Sequence, residues 1–498
     1  MSPNEYWIIE ALVTYHPVKR INFMKEISFK NFFFIIPVLI LLIIQIPNLP
    51  LPYFFDEAWS YFPAIKKMAE AGPSLLPGVV PIDYCKGHPQ FFFFISSLWM
   101  NVFSDNITVI RILPLLISVG LLVVIYQVLL KFINWESAFI ASLLVSVQSI
   151  FIAQSIFLLP EMLLTLLFVL SFYFFINRRY IAYAIVSTLM VLTKETAIIF
   201  AVMFGLIYVF SLLSPSERIK YRHIHLLALT VPGIIYALFL LLHYLEFGMI
   251  FYGDHLQYIS LSWPVIYDKI NVASSFIFIQ YGRRFITYAA IVSLLILLFQ
   301  KPKNIRFLVV GILSYIGYML FSVFNFFTQR YWLVLIVIFI ILSAYIIGQL
   351  RINQYIKAII TLALASVCLY FTLTEKQNAD IDLGYVETIM THEALVQFCE
   401  ENNLYDVPLS VTFNMIFALK EKDLGYVKGD KAFTNIMDWK HYEEARFFIY
   451  ESTMGEIVPG LTHARENYQL VKEIKDKHAW GVIYENTHFN DSIGLPAE

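Results

Sequence analysis

Two adjacent carboxylates, Asp56 and Glu57, follow directly on the first apolar segment, in the string LPYFFDEAWSYF. An acid at a membrane edge costs free energy when it is buried without a partner. The plain alternative is that these acids cap a helix, because AWSYFPAIKKMAE has a helical pattern and an acid at a helix N-terminus is stabilised by the helix dipole. About thirty residues later come Lys86 and His88, flanked by aromatic residues. The segment from Lys86 into FFFF predicts an amphipathic helix at the lipid surface. An acid, a cation and an imidazole there suit a reaction on a phosphorylated lipid, and simple interfacial anchoring stays open.

Three further charged residues lie at the ends of apolar segments: Glu161 in LLPEM, Lys194 in LTKE and Arg330 in QRYW. Ionisable groups in such segments are functional candidates by default. Each also has a plain alternative. Lys194 and Glu195 can neutralise one another, and Arg330 can anchor its helix at the interface.

The composition requires a bilayer around these residues. Of the 498 residues, 59% are hydrophobic and 14% are charged. The mean hydropathy is +0.68, and the apolar residues come in runs long enough to cross a membrane. The chain is therefore predicted to be a polytopic membrane protein, which excludes a soluble enzyme, a disordered protein and a nucleic-acid binder. A net charge of −2 indicates no acidic or basic partner.

The predicted fold is an all-α membrane bundle with interfacial helices in the first outer loop and a small soluble C-terminal α/β domain. The domains are predicted at 1–374 and 375–498. In the second, VETIMTHEALVQFCEENN has a helical period, and PLSVTF, RFFIYES and WGVIYEN resemble strands. About eleven spans are expected, at 31–51, 109–131, 138–158, 160–177, 180–193, 196–213, 225–246, 285–300, 307–323, 331–349 and 356–374.

The basic residues predict the orientation through the positive-inside rule. This places the N-terminus in the cytoplasm, with the 52–108 loop, the 247–284 loop and the C-terminal domain outside, and it makes 180–213 a hairpin with LTKE at its outer tip. The basic residues used are Lys19, Arg20, Lys25, Lys30, Lys131, Arg178, Arg179, Arg218, Lys220, Arg222, Lys301, Lys303, Arg306, Arg351 and Lys357.

The ordered motifs resemble a known family. DEAWSY followed by GHPQFFFFISSLWMNVF is similar to the first outer loop of fold-C glycosyltransferases, in the bacterial branch related to protein O-mannosyltransferases and lipid A aminoarabinose transferases. The strings SIFLLPEMLLTLLF, VLTKETAIIF and FTQRYWLVLIVIF follow in the same order. The resemblance covers roughly residues 31–350.

The resemblance implies transfer of a sugar from a polyprenyl-phosphate carrier to an acceptor hydroxyl of unknown identity. Asp56 matches the catalytic acid of the family, and Glu57 completes the pair of the mannosyltransferase branch. Lys86 matches a lysine that faces the lipid phosphate, although Lys-Gly-His-Pro departs from the Lys-Pro-Pro of that branch. Glu161 takes a second acidic position that is usually Asp. The remaining candidates for the phosphate are His88, Lys194 and Arg330.

The chemistry agrees with these residue types. A carboxylate can accept the proton of the attacking hydroxyl. A lipid phosphate leaves as an anion, so it needs positive charge and no acid catalyst. One-step displacement inverts the anomeric centre. No cofactor or metal is expected, although a divalent cation stays open.

The expected location is the bacterial inner membrane, among membrane lipids. The alternative function is a transporter or flippase for lipid-linked saccharides, but such a protein should carry charges near mid-membrane. A non-catalytic receptor is a third reading.

Overall fold

A computed structural model of the chain describes residues 29–489, apart from 214–222, 258, 298, 301–302, 326–327, 378 and 456–457. The α-helices are α1 (Ile35–Gln45), α2 (Phe62–Ala71), α3 (Ile82–Cys85), α4 (Phe91–Val102), α5 (Ile107–Phe132), α6 (Trp135–Ser146), α7 (Ser149–Gln154), α8 (Glu161–Ile176), α9 (Tyr180–Thr193), α10 (Ile198–Ser211), α11 (His223–Phe247), α12 (Gly253–Leu256), α13 (Trp263–Phe278), α14 (Arg283–Leu297), α15 (Ile305–Phe324), α16 (Leu333–Gly348), α17 (Gln354–Thr374), α18 (Gly384–Glu401), α19 (Phe413–Lys420) and α20 (Pro459–Asn467). The strands are β1 (Leu409–Val411), β2 (Ile436–Asp438), β3 (Phe447–Glu451), β4 (Gln469–Lys475) and β5 (Trp480–Glu485).

Long apolar helices dominate the first 374 residues. Five of the helices in the described ranges are long and apolar enough to cross a membrane: Ile107–Phe132, His223–Phe247, Ile305–Phe324, Gln329–Gly348 and Gln354–Thr374. Shorter apolar helices lie in five of the six other predicted spans, and α14 (Arg283–Leu297) lies in the sixth, 285–300. The helical membrane architecture is thus confirmed, whereas the count of eleven spans is not. Of the basic residues used for orientation, Lys19, Arg20, Lys25, Arg218, Lys220, Arg222 and Lys301 lie outside the described residues.

The predicted span 138–158 is not one helix. It divides into α6 and α7 because Gln148 is extended (φ −77°, ψ 134°). The Gln148 side-chain amide donates to the Leu144 carbonyl at 2.9 Å, which satisfies one carbonyl at the end of α6. A second break, at Lys194 (φ −156°, ψ 138°), separates α9 from α10, so that 180–213 holds two helices, in agreement with the two spans predicted at 180–193 and 196–213.

The 52–108 loop folds into three short helices, α2, α3 and α4. Lys86 and His88 do not lie on an amphipathic helix, so that expectation is wrong: they occupy the turn between α3 and α4. Lys86 has a left-handed backbone (φ 49°), and Gly87 has φ 75°. The residue before a proline avoids helical geometry, so His88 cannot easily join a helix that contains Pro89. The helix begins only at Phe91.

The C-terminal region holds a mixed five-stranded sheet in the order β2-β1-β3-β5-β4. β1 pairs in parallel with β2 and β3, while β5 pairs antiparallel with β3 and β4. β1, β3 and β5 lie within the three predicted strand segments, and α18 covers the predicted helix. β2 and β4 were not predicted. β4 is largely exposed on both faces, so its sequence lacks the apolar alternation that marks a half-buried strand.

This C-terminal region packs directly on the 52–108 loop. The Tyr53 amide donates to the Leu424 carbonyl at 3.0 Å, and Lys66 pairs with Asp423. Deeper in the structure, the Tyr385 hydroxyl donates to Gln45 Oε1 at 3.2 Å. The residues after Thr374 are therefore a wall of the structure around Asp56.

Candidate active site

The backbone around Asp56 and Glu57 sends the two adjacent carboxylates in different directions. Phe55 has a left-handed backbone (φ 52°), and Glu57–Tyr61 forms a π-helical turn. Positive φ is unusual for an aromatic residue, and π-turns occur frequently at functional sites. The side chain of Asp56 is 17% exposed and that of Glu57 is 0% exposed.

Glu57 points into the protein and is fully engaged there. Its Oε2 lies 2.7 Å from Arg111 Nη2 and also accepts from the Phe54 amide at 3.2 Å, while Oε1 accepts from the Leu158 amide at 2.9 Å. Burial raises the pKa of Glu57, and the Arg111 charge and the two amides oppose that effect. Glu57 therefore fixes the loop against α5 and the segment before α8, and it does not reach the open side of the site.

Arg330 is the centre of the charged cluster. Its guanidinium pairs with Asp56, and its Nη1 lies 2.8 Å from Asp380 Oδ2. Its Nε lies 3.4 Å from Glu161 Oε1. The Arg330 side chain is only 3% exposed. Three carboxylates from separate segments therefore surround a cation that is buried.

Lys194 completes this cluster from the break between α9 and α10. Its Nζ lies 2.6 Å from Glu161 Oε1 and 3.2 Å from the centroid of the Tyr331 ring. The other oxygen, Glu161 Oε2, is buried and has no hydrogen-bond partner among the described residues. A buried acceptor of this kind calls for an explanation, and a ligand hydroxyl is one.

Lys86 lies on the other side of Asp56, between two aromatic rings. Its Nζ is 5.1 Å from the ring centroids of Trp59 and of Tyr252, and it donates to the Tyr252 hydroxyl at 3.2 Å. The Trp59 indole in turn donates to Asp56 Oδ1 at 2.8 Å. Lys86 is partly exposed, so its ammonium group can still meet an anion.

His88 and Glu195 form a pair beside a cavity of about 270 Å³. Their Nδ1 and Oε2 atoms are 2.8 Å apart. The cavity is lined by Lys86, His88, Glu195, Tyr331 and apolar residues of α11, the 249–259 segment and α15. Because Tyr331 also stacks with Lys194, the cavity adjoins the Arg330 cluster.

Seven residues were proposed for the site from the sequence, and the structure brings six of them around this centre: Asp56, Glu161, Lys86, His88, Lys194 and Arg330. Glu57 is adjacent but buried away from the cavity. The sequence pointed to neither Arg111 nor Asp380 as a partner of the acids. Arg111 is a charged residue in the first turns of the apolar helix α5, whose other charge, Lys131, lies at the opposite end, and this was the available signal. Asp380 is one of several acids after Thr374 and carried no signal.

Comparisons with known proteins bear on the fold of the chain. Residues 87–241 match the model of the family described as dolichyl-phosphate-mannose-protein mannosyltransferase. A crystal structure of ArnT from Cupriavidus metallidurans bound to undecaprenyl phosphate superposes with a TM-score of 0.55 at 12% identity, covering 93% of this chain and 99% of that chain. Its apo form gives 0.51 at 12% identity, covering 90% and 97%. No curated protein sequence matches significantly.

The chain has the fold of ArnT. The resemblance to fold-C membrane glycosyltransferases that the motifs indicated is thereby confirmed. The family match includes His88, Arg111, Glu161 and Lys194. The structural likeness covers 93% of this chain and therefore extends into the region after Thr374.

The ion pair of Glu57 with Arg111 gives a stability prediction. Replacing Arg111 with Met leaves a buried, unpaired carboxylate, which costs on the order of 3–5 kcal/mol. We expect the detergent-solubilised R111M protein to unfold at a clearly lower temperature than wild type. The double variant R111M/E57Q removes the charge as well and should recover part of the loss. Equal melting temperatures for R111M and wild type would contradict the role of the pair.

Proposed function

We propose that this chain is an inverting glycosyltransferase that moves a sugar from a polyprenyl-phosphate carrier to an acceptor hydroxyl. One observation carries the proposal: Asp56, a partly exposed carboxylate, lies between a buried cation cluster and a lysine beside an apolar cavity. A base, cations for a phosphate and an apolar channel are the three elements such a reaction needs.

Asp56 is the general base in this proposal. The acceptor oxygen attacks the anomeric carbon and its proton passes to Asp56, while the bond from that carbon to the phosphate oxygen breaks and its electron pair leaves with the lipid phosphate. Trp59 and Arg330 each engage one carboxylate oxygen, and each oxygen keeps a lone pair for the acceptor proton. Attack opposite to the leaving phosphate inverts the anomeric centre.

The departing phosphate is met by side-chain cations. Lys86 and His88 line the cavity, and its apolar walls suit the first isoprene units of a carrier. Lys194 and Arg330 are more deeply buried and lie against the carboxylates, whose charges they neutralise. In this proposal the resulting polar cluster faces the sugar of the donor. Glu161 Oε2 is then available to accept a hydrogen bond from a sugar hydroxyl.

The bound ligand of the ArnT structure supports the donor class. That protein was crystallised with undecaprenyl phosphate, and this chain shares its fold. A polyprenyl phosphate is therefore the carrier we propose. The sugar is a hexose or pentose whose identity is left to experiment.

The membrane placement follows the charge pattern. We propose a bacterial inner-membrane protein with its N-terminus in the cytoplasm and the region after Thr374 outside. The site lies on the side of the 52–108 loop and the C-terminal sheet, where an extracytoplasmic acceptor would arrive.

Asp56→Asn tests the base. Loss of the base should lower the rate by about 10²–10⁴-fold. The measurement is transfer of labelled sugar by purified protein from a panel of synthetic polyprenyl-phosphate sugars to membrane lipids, glycans and proteins. Asp423→Asn is the matched control, since Asp423 is an exposed acid paired with Lys66. Undiminished transfer by D56N would refute the assignment, and wild type inactive with every donor would favour a transporter.

Lys86→Ala tests the phosphate cation. Losing a hydrogen bond to a charged group should raise the KM for the donor by about tenfold or more. Lys67→Ala is the control, because Lys67 lies on α2, exposed and paired with Glu70 at 3.1 Å. An unchanged donor KM in K86A would show that Lys86 does not meet the phosphate.

Reporter fusions test the orientation. Alkaline phosphatase fused after Thr374 should be active, as only an extracytoplasmic fusion folds. The same reporter fused after Ile133, beside Lys131, should be inactive. The reverse pattern would place the site on the cytoplasmic side and overturn the proposed location.

A further inference from the structure

Trp59 lies between three parts of the structure around Asp56. Its indole N–H donates to Asp56 Oδ1 at 2.8 Å. The ammonium of Lys86 lies 5.1 Å from its ring centroid. Its ring also meets Phe413 edge to face, with centroids 5.8 Å apart and an interplanar angle of 76°. One side chain thus connects the proposed base, the proposed phosphate cation and the C-terminal region.

The indole N–H restricts where Asp56 can point. Arg330 binds Oδ2 from one side and Trp59 binds Oδ1 from the other. A carboxylate held at both oxygens cannot rotate freely, so its remaining lone pairs face a fixed direction. Trp59 is three residues after Asp56, within the π-turn Glu57–Tyr61, so the turn itself aims the indole at the carboxylate.

The residue before Phe413 is anchored to the C-terminal sheet. It follows Thr412, whose hydroxyl donates to Glu451 Oε1 at 2.9 Å. Glu451 is the last residue of β3, it is fully buried, and its Oε2 also accepts from the Thr453 amide at 2.7 Å and lies 3.3 Å from His392 Nε2. Since β1 and β3 are parallel neighbours, Thr412 and Glu451 meet at the carboxyl ends of the two strands. The sheet therefore anchors the start of α19, from which the Phe413 ring, 37% exposed, reaches the Trp59 ring.

We infer that Trp59 is a positioning residue for the transfer reaction and that Phe413 places the C-terminal sheet in control of it. This inference rests on the proposed function, since it assigns Asp56 as the base. Trp59 touches neither the transferred sugar nor the phosphate in this scheme. It acts through the orientation of Asp56 and the location of Lys86.

Trp59→Phe isolates the N–H. Phenylalanine keeps an aromatic ring for Lys86 and Phe413 but has no N–H to donate to Asp56, and the smaller ring is matched in the control below. We expect kcat to fall by about tenfold with the donor KM within about twofold of wild type. Trp59→Leu also removes the ring and should raise the donor KM in addition. Trp99→Phe is the matched control, because the Trp99 indole donates to the Val109 carbonyl at 2.9 Å in the same loop.

A double-variant cycle tests the part played by Phe413. Phe413→Ala should lower kcat in the wild-type background and have no further effect in the W59F background, because its influence passes through the indole N–H. Additive losses would overturn the link to the C-terminal sheet. A W59F protein with wild-type kcat, measured where D56N is inactive, would overturn the positioning role.

An NMR measurement keeps this inference separate from the proposed function. In protein labelled with ¹⁵N-tryptophan, the Trp59 indole signal is the one among eight tryptophans that disappears in W59F. It should shift in D56N, while the Trp99 signal stays in place. Failure of wild type to transfer any sugar would refute the proposed function alone, whereas an unmoved Trp59 signal would refute the inference.

Discussion

The structure around the site depends on one buried cation. Arg330 is almost fully enclosed, and an enclosed charge is tolerated only when opposite charges and hydrogen-bond acceptors surround it. Its partners come from the 52–108 loop, from the first residue of α8 and from the segment after α17. A planar guanidinium with five donors can serve three carboxylates in different directions, which a lysine cannot do with the same geometry. The ion cluster therefore fixes three distant segments around one point.

Asp56 and Glu57 divide two tasks between adjacent positions. The left-handed backbone at Phe55 and the π-turn that follows separate their directions. Both carboxylate oxygens of Glu57 bind Arg111 or backbone amides, so Glu57 holds the loop in place. Asp56 keeps a partly exposed oxygen pair at the edge of the cluster. An acidic pair in the sequence is thus one structural and one chemically available carboxylate.

Much of this arrangement was predictable from the sequence, and the remainder depended on contacts between distant residues. Apolar runs located the helices, because hydropathy reports burial along a continuous segment. Six of the seven proposed site residues cluster, and each could be found in the sequence as an ionisable residue beside an apolar run. Asp380 could not be predicted because only its ion pair with Arg330, 50 residues earlier in the chain, places it in the cluster. Aromatic residues on both sides of Lys86 give the sequence an amphipathic pattern, which predicts a helix there. Gly87 and Pro89 disfavour helical geometry at this point, and the structure has a turn instead.

The region after Thr374 cannot be a separate module attached to a finished membrane domain. Asp380 supplies one of the three carboxylates around Arg330, and Phe413 supports the indole that binds Asp56. Without that region the guanidinium would lose a buried partner, and the tryptophan would lose its aromatic neighbour. Desolvation makes the first loss costly for folding. Folding of the region after Thr374 and assembly of the charged cluster are therefore coupled, and the contact of Phe413 with Trp59 extends that coupling to the indole that holds Asp56.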